Sequence, residues 1–501
     1  MIKRSVGIRS LAIRFPQLIR TNDYWQKTYQ NQGKLKRNRN SRSTPNSTND
    51  NSGLAIWSQA VAPYLPDPFR GSVERRVLGA DESSLTLECQ AAQDVLSAAN
   101  LKVEDIDLVI VASIFPDEIG FGNAAYLARK LNLHCPAWNL ESTCSSALIA
   151  LQNASALVQT GEYQTVLVVV SHLGSNAVDE EDSLSWSMGD AAGAFIVDSL
   201  SANQGILGSK IVHTAATCEA YAHELELDSQ GKPRMRTRTG ENPSVLAETA
   251  VDFVRTCCQG AIASAGVTLN QIDFFAFNTP TAWYASVCTQ ALGIDPERTL
   301  NLYPRYANIG PVFPLAALYH AAQSGKLREN DLVLVYTNGA AATAAAMVMR
   351  WGDVALGSVP TPPIRVTPTQ EKIHVPTGKA TPTETLSREQ LLAAEPKEQQ
   401  AILETYLLNV LASLLHRPSS TLTPEQPLGS FLDSLIVLML KSRIETDLQV
   451  RVSIEQLFGE NTITQLAQHL LNQFALATLI GSDSGSVSEV SEAEDREKLS
   501  L

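Results

Sequence analysis

The sequence predicts an α/β domain made of two related halves, followed by a small all-helical module. Three observations predict it. A helix, turn and strand unit recurs between residues 80 and 340, a Pro/Thr-rich stretch follows Trp351, and residues 391–475 carry helical periodicity with almost no β-branched strand run. The length of 501 residues leaves room for more than one domain.

Taken in order, residues 3–15 (KRSVGIRSLAIRF) space their apolar groups as a strand does, and Pro16 stops the run. Residues 31–52 hold five basic groups among Asn, Ser, Gly and Pro without apolar periodicity, which predicts an exposed loop. From about 80, a helical pattern ends at Asn100 and runs through an acidic turn into the buried strand DLVIVASIF. The alternation then repeats. ALIALQNASALVQTG precedes TVLVVVSH, AIASAGVTLNQI precedes DFFAFN, and LAALYHAAQSG precedes DLVLVYTN, with Asp105, Asp273 and Asp331 in the turns. Strands this apolar need helices over both faces.

The predicted boundaries are an α/β domain at 1–355, an extended linker at 356–390, a helical module at 391–478 and an acidic tail at 479–501. The tail from Gly481 has six acidic and two basic groups and too little apolar content to repay the entropy of ordering.

Composition excludes several function classes. With 39 basic and 52 acidic residues, the net charge of -13 repels nucleic acid and anionic lipid. No run approaches the roughly 20 apolar residues of a membrane span, and Arg9 and Arg14 interrupt any signal-peptide core, so the expected location is the cytoplasm. Seven cysteines without a CxxC pair predict reduced thiols and no metal site.

One of those thiols stands apart. Cys144, in PAWNLESTCSSALIALQNASAL, falls at a small-residue corner where a helix begins. Exposed backbone N–H groups there favour a thiolate, and favour the oxyanion formed when a carbonyl is attacked. Cys89, Cys257, Cys258 and Cys288 read instead as small buried hydrophobes.

Residues 1 to about 353 resemble the β-ketoacyl-acyl carrier protein synthase III branch of the thiolase superfamily, on PAWNLESTCSSALIAL, SMGDAAGAFIV, YANIG and DLVLVYTNGAAATAAAMVMRWGD. The resemblance implies a duplicated five-layered thiolase-like fold, a homodimer, and a cysteine, histidine and asparagine active site. By motif the cysteine is Cys144 and the asparagine is Asn308, within YANIG where the family has Tyr-Gly-Asn. At the histidine position the strand DFFAF ends in Asn278-Thr279-Pro280, which puts Asn278 where the imidazole stands in the family. Asparagine carries no proton near neutral pH but can give and accept hydrogen bonds. His172, His213 and His223 are the histidines weighed as replacements, with His172 and His223 preferred. Gly189, Asp190 and residues 338–341 are expected in turns near the nucleophile, Gly339 where a larger residue does not fit, and Phe121 at the acyl-pocket or dimer edge.

Residues 393–475 resemble an acyl or peptidyl carrier domain. The motif LDSL follows Phe431 where many carriers have glycine, and Ser434 is the residue matching the one that bears 4'-phosphopantetheine. By its sequence alone, Asp433-Ser434 is also an ordinary helix cap. Lys441 and Arg443 are expected at the edges of the module, reaching water.

Three readings follow. The first is an acyltransferase that moves an acyl group from acyl-CoA or an acylated carrier, through a Cys144 thioester, to a phosphopantetheine thiol or a small hydroxyl or amine in polyketide, peptide-polyketide or specialised lipid synthesis. Asn278 and Asn308 then orient or polarise the carbonyl. Its expected partners are a phosphopantetheinyl transferase and pathway carrier or synthase proteins. The second is carbon-carbon condensation with an unmatched base, and the third a non-catalytic scaffold that presents an acylated carrier.

Overall fold

The computed structural model describes residues 4–25, 53–179, 182–227, 233–365, 388–395, 398–414, 422–428 and 461–481, with scattered positions 440–457. The expected loop at 31–52, Ser434 and the acidic tail beyond 481 lie outside the described residues. By its contacts the chain divides into a unit of residues 1–375 and a unit of residues 376–501.

The strands of the first unit are β1 (Val6–Arg14), β2 (Leu18–Thr21), β3 (Glu74–Val77), β4 (Leu108–Ile114), β5 (Ala137–Asn139), β6 (Val166–Leu173), β7 (Asp190–Ser199), β8 (Gly205–His213), β9 (Tyr221–Leu227), β10 (Pro233–Thr239), β11 (Phe274–Phe277), β12 (Leu332–Asn338), β13 (Thr343–Arg350), β14 (Ala355–Leu356) and β15 (Ile364–Arg365). One sheet has the order β14-β1-β7-β6-β4-β5 and a second the order β11-β12-β13-β8. Within them, β1-β7-β6-β4 and β8-β13-β12-β11 carry the same pairing, antiparallel, antiparallel, then parallel. The repeat in the sequence is therefore a repeat of topology.

Helices Ser146–Thr160 and Phe313–Gln323 lie between the sheets, packed on Ile110, Val168 and Val170 from one side and Val333 and Val335 from the other. The alternate residues Val109, Val111, Leu167 and Val169 point outward against helices Ser84–Ala98 and Ala124–Leu131. On the far side Leu332, Leu334 and Tyr336 face helices Val245–Ala265 and Tyr284–Leu292. The result is five layers, α-β-α-β-α, because strands apolar on both faces must be covered twice. Cys89, Cys257, Cys258 and Cys288 are buried in the outer layers, as their reading as hydrophobes requires.

Helix stops follow the turn chemistry. Asn100 and Gly266 end their helices at φ of 53° and 67°, the left-handed region that Gly adopts freely and Asn tolerates. Asp273 then accepts the Leu332 N–H at 2.8 Å, tying the start of β11 to the start of β12.

In the second unit, Leu403, Leu407 and Leu411 form a fully buried stripe on helix Gln399–Leu414 and pack with Leu440, Ile444, Leu466 and Leu470. Thr462 and Gln465 exchange side-chain and backbone hydrogen bonds at 2.9 and 3.2 Å, a reciprocal cap at the start of helix Ile463–Gly481. Arg443 is half-exposed beside Asp447 at 2.7 Å, while Lys441 turns back to the Val452 carbonyl. None of the described helices is long and apolar enough to cross a membrane, and no group of His, Cys, Asp or Glu among the described residues is arranged to hold a metal ion.

Candidate active site

The two central helices begin at the same end of the layers, and the segments that precede them meet. Cys144 precedes helix Ser146–Thr160, and Asn308 and Gly310 precede helix Phe313–Gln323. Duplication thus brings the nucleophile turn against its counterpart from the other half.

The small residues of STCSS fix the nucleophile turn. Ser142 Oγ lies 2.6 Å from Thr343 Oγ1, Ser145 Oγ donates to the Thr343 carbonyl at 2.7 Å, and Ser146 Oγ donates to the Thr143 carbonyl at 2.7 Å. Thr143 is held at a φ of 47° with its N–H on the Glu141 carboxylate. Gly339 closes over this turn. A Cβ there would stand 2.2 Å from Thr143 Oγ1 and 2.6 Å from the Ser142 carbonyl, so the expectation that no larger residue fits is met.

The loop of residues 338–342 is itself pinned. The N–H groups of Gly339, Ala341 and Ala342 go to the Thr343 carbonyl, Thr217 Oγ1 and Thr214 Oγ1. The remaining N–H of that run, on Ala340, belongs to a residue whose carbonyl accepts from Thr143 Oγ1 at 3.2 Å.

Cys144 is not the thiolate that its place before a helix predicts. It sits in the tight turn Thr143–Ser145 and retains partial exposure. Burial pushes its thiol up to about 12, and the nearby Glu141 carboxylate adds to the rise. Desolvation and the Glu141 charge both favour the neutral thiol over the thiolate here.

Asn278 follows β11 and is 1% exposed, its N–H on the Tyr336 carbonyl at 2.9 Å. Its Nδ2 donates to the Gly310 carbonyl at 2.9 Å and reaches the Cys144 carbonyl at 3.5 Å. Both acceptors are backbone carbonyls, which fixes the amide orientation. Oδ1 is then the end with no protein donor. Sequence reasoning expected a polar group that donates to a substrate carbonyl; the donor end is instead committed to backbone.

Asn308 acts on the same turn, its Oδ1 accepting the Gly310 N–H at 2.9 Å. Its backbone N–H and carbonyl bond Ser187 and Gly189 at 2.8 and 3.0 Å. Ala307, where the resembled family has glycine, takes φ 54° and ψ −153°, a region almost closed to side chains. Gly189 is required where it stands, because a Cβ would meet the Tyr306 carbonyl at 2.1 Å. Asp190 is spent on structure, accepting N–H bonds from Ser175 and Leu78 at 2.8 and 2.9 Å.

Of the histidines, His172 is buried with Nδ1 3.0 Å from the Gly189 carbonyl, and burial pushes it down to about 4. His223 is exposed on β9, with Nδ1 3.2 Å from Thr237 Oγ1, and exposed His213 ends β8. Phe121 is 84% exposed. Ser434 is not among the described residues.

Two groups escaped sequence reasoning. Glu141 and Tyr221 are the titratable side chains electrostatically coupled to Cys144, and burial lifts the Tyr221 phenol to about 12. Glu141 stands three residues before the cysteine and was open to notice; Tyr221 is distant in sequence, and only folding brings it near.

Comparison with known proteins addresses the fold and the two domains. The family profile 3-oxoacyl-[acyl-carrier-protein (ACP)] synthase III matches residues 138–215, that enzyme's C-terminal profile matches 262–351, and the profile of a phosphopantetheine attachment site matches 405–470. The chain is 29% identical over 291 residues to the beta-ketoacyl-[acyl-carrier-protein] synthase III of Gloeobacter violaceus, covering 56% of this chain and 88% of that protein. Among solved structures it is similar to the synthase III of Thermus thermophilus, at 25% identity and a TM-score of 0.56, with 69% of this chain and 99% of that one covered. The Aquifex aeolicus enzyme superposes with the same TM-score at 22% identity, over 69% of this chain and all of that one. A phosphopantetheine-attachment domain carries 4'-phosphopantetheine covalently on a serine. The chain thus carries a ketoacyl synthase III-like domain of the thiolase fold, a transferase architecture, joined to a C-terminal carrier domain.

Proposed function

We propose that the protein is an acyltransferase. It takes an acyl group from acyl-CoA or an acylated carrier onto Cys144 and passes it to a phosphopantetheine thiol or a small hydroxyl or amine acceptor, in polyketide, peptide-polyketide or specialised lipid biosynthesis. The observation that carries this reading is Asn278. Its Nδ2 is committed to the Gly310 and Cys144 carbonyls, and the remaining amide atom, Oδ1, is a buried acceptor. Decarboxylative condensation needs a donor that stabilises an enolate and a group that handles a proton. A neutral amide at position 278, its donor end turned to backbone, handles no proton.

Thioester exchange asks for less. Cys144 Sγ attacks the thioester carbonyl, the Sγ–C bond forms, the C–S bond of the donor breaks, and the Sγ proton ends on the departing sulfur. The Ala340 N–H is proposed to serve the oxyanion, on the ground that the carbonyl of this residue bonds the nucleophile turn at Thr143.

Ser434 is proposed as the attachment serine, which assigns the phosphopantetheinyl transferase as a partner. When attached, the group supplies a thiol on a flexible arm, and the covalent link between the two units gives that thiol a high effective concentration at Cys144. Exposed Phe121 and the edge strand β5 are proposed for a homodimer contact.

The test is intact-protein mass spectrometry of apo and pantetheinylated protein against a panel of acyl-CoA donors, repeated with Cys144→Ala and Ser434→Ala. A hydroxylamine-labile adduct on apo protein that Cys144→Ala abolishes is the expected result. Absence of any Cys144 adduct, with Ser434 still modified, would favour the scaffold reading.

A further inference from the structure

The two asparagines beside Cys144 are held by one turn, Asn308 to Gly310, and that turn rests on a side chain the proposed chemistry does not use. The hydrogen bonds run without a break. His172 Nδ1 is 3.0 Å from the Gly189 carbonyl, the Gly189 N–H donates to the Asn308 carbonyl at 3.0 Å, and the Gly310 N–H donates to Asn308 Oδ1 at 2.9 Å. The Gly310 carbonyl then accepts from Asn278 Nδ2 at 2.9 Å, and the same Nδ2 reaches the Cys144 carbonyl.

Packing adds a second, independent link. A Cβ on Gly310 would stand 2.5 Å from His172 Cδ2, and one on Gly174 would stand 2.5 Å from His172 Cε1. The Phe115 ring meets the imidazole edge-on at 5.7 Å between centroids. The ring is therefore wedged between two glycines whose lack of side chain makes room for it.

A carbonyl can only accept, so the nitrogen facing Gly189 must carry the proton. That fixes His172 as the Nδ1–H tautomer, a donor to the backbone. We infer that His172 is a positioning residue: its Nδ1–H and its ring fix the Asn308 to Gly310 turn, and through it the placement of Asn278 against Cys144. It does not occupy the place of the missing imidazole, which Asn278 takes, and it neither takes nor gives a proton in the reaction.

This rests on the acyl-transfer reading for its kinetic consequence but not for its structural one. His172→Leu removes the donor and keeps the bulk, while His172→Asn restores an N–H donor near the Nδ1 position. Single-turnover acylation of Cys144 is compared in the three proteins, together with KM for the donor, iodoacetamide labelling of Cys144, and hydrogen exchange of the peptide covering 303–313. The expected result is an acylation rate at least about tenfold lower in His172→Leu, with KM and thiol labelling nearly unchanged, since displacement of a reacting group by about 1 Å costs on the order of 10²-fold. Exchange at 303–313 accelerates in His172→Leu, and both readouts recover in His172→Asn.

Equal loss in the two variants would overturn the inference, as would wild-type rates and exchange in His172→Leu. If the wild-type protein forms no acyl-enzyme at all, the acyl-transfer reading fails, and the exchange comparison still decides the role of His172.

Discussion

Replacing Gly339 by Ala tests how closely the loop of residues 338–342 controls the nucleophile. The added methyl would lie 2.2 Å from Thr143 Oγ1, 2.6 Å from the Ser142 carbonyl and 3.1 Å from the Thr343 carbonyl. Ordinary carbon-oxygen contact needs about 3.4 Å, so the two loops must part by about 1 Å. The loop cannot simply retreat, because the Gly339 N–H is bonded to the Thr343 carbonyl at 2.8 Å and the Gly339 carbonyl accepts from Thr214 Oγ1 at 2.5 Å. Overpacking of this kind costs about 1–3 kcal/mol in stability, and a 1 Å displacement beside Sγ costs on the order of 10²-fold in rate. The assay is single-turnover acylation with the melting temperature measured alongside. Adding Thr143→Ala relieves the nearest contact but leaves the Ser142 carbonyl in place, so partial recovery is expected in the double variant. Acylation within twofold of wild type in Gly339→Ala, at an unchanged melting temperature, would refute the reasoning.

Three further expectations come from the same geometry. Ala307→Gly should stabilise the first unit by about 1 kcal/mol, because a strain of about 1–3 kcal/mol at φ 54° is relieved at a smaller entropy cost for glycine; thermal melting checks it. Glu88 is wholly buried with its carboxylate accepting from Ser113, Ser171 and Asn123, and desolvation lifts it from an ordinary 4.5 to about 7. An acid raised by folding contributes stability that is complete below about pH 4.5 and is lost as pH climbs through about 7. Wild type should therefore lose about 3 kcal/mol relative to Glu88→Gln between pH 4 and pH 8, read by denaturant melts, the pH-independent cost of the substitution cancelling in the difference. The Cys144 thiol, pushed up to about 12, should show iodoacetamide labelling that rises about tenfold per pH unit from 7 to 10 without a plateau; a plateau near pH 8 would mean a far more acidic thiol.

The fold was legible because both causes of it are local. Runs such as VLVVV at 166–170, apolar at every position, demand helices on two faces, and repetition of the helix, turn and strand unit announced the duplication before any contact was known. Cys144 was legible as a motif, and its state was not. Whether a thiol at a helix approach ionises depends on how much protein surrounds it and on Glu141, and that is set by the tertiary packing. Asn278 shows the same division. Its place at the end of β11 could be counted from Asp273, but which end of the amide is free was decided by the Gly310 carbonyl, which a distant segment delivers. The strain at Ala307 was announced only by its departure from a family glycine, and the support of His172 beneath Gly310 had no local sign, since those residues lie far apart in sequence.

The fate of the acyl carbon skeleton distinguishes transfer from condensation most directly. Pantetheinylated protein given an acyl-CoA together with isotope-labelled malonyl thioester should release or retain an acyl group of unchanged mass, with no label incorporated. A labelled acyl chain longer by two carbons would show that a carbanion forms beside Cys144 without an imidazole at position 278, and would contradict the acyl-transfer reading.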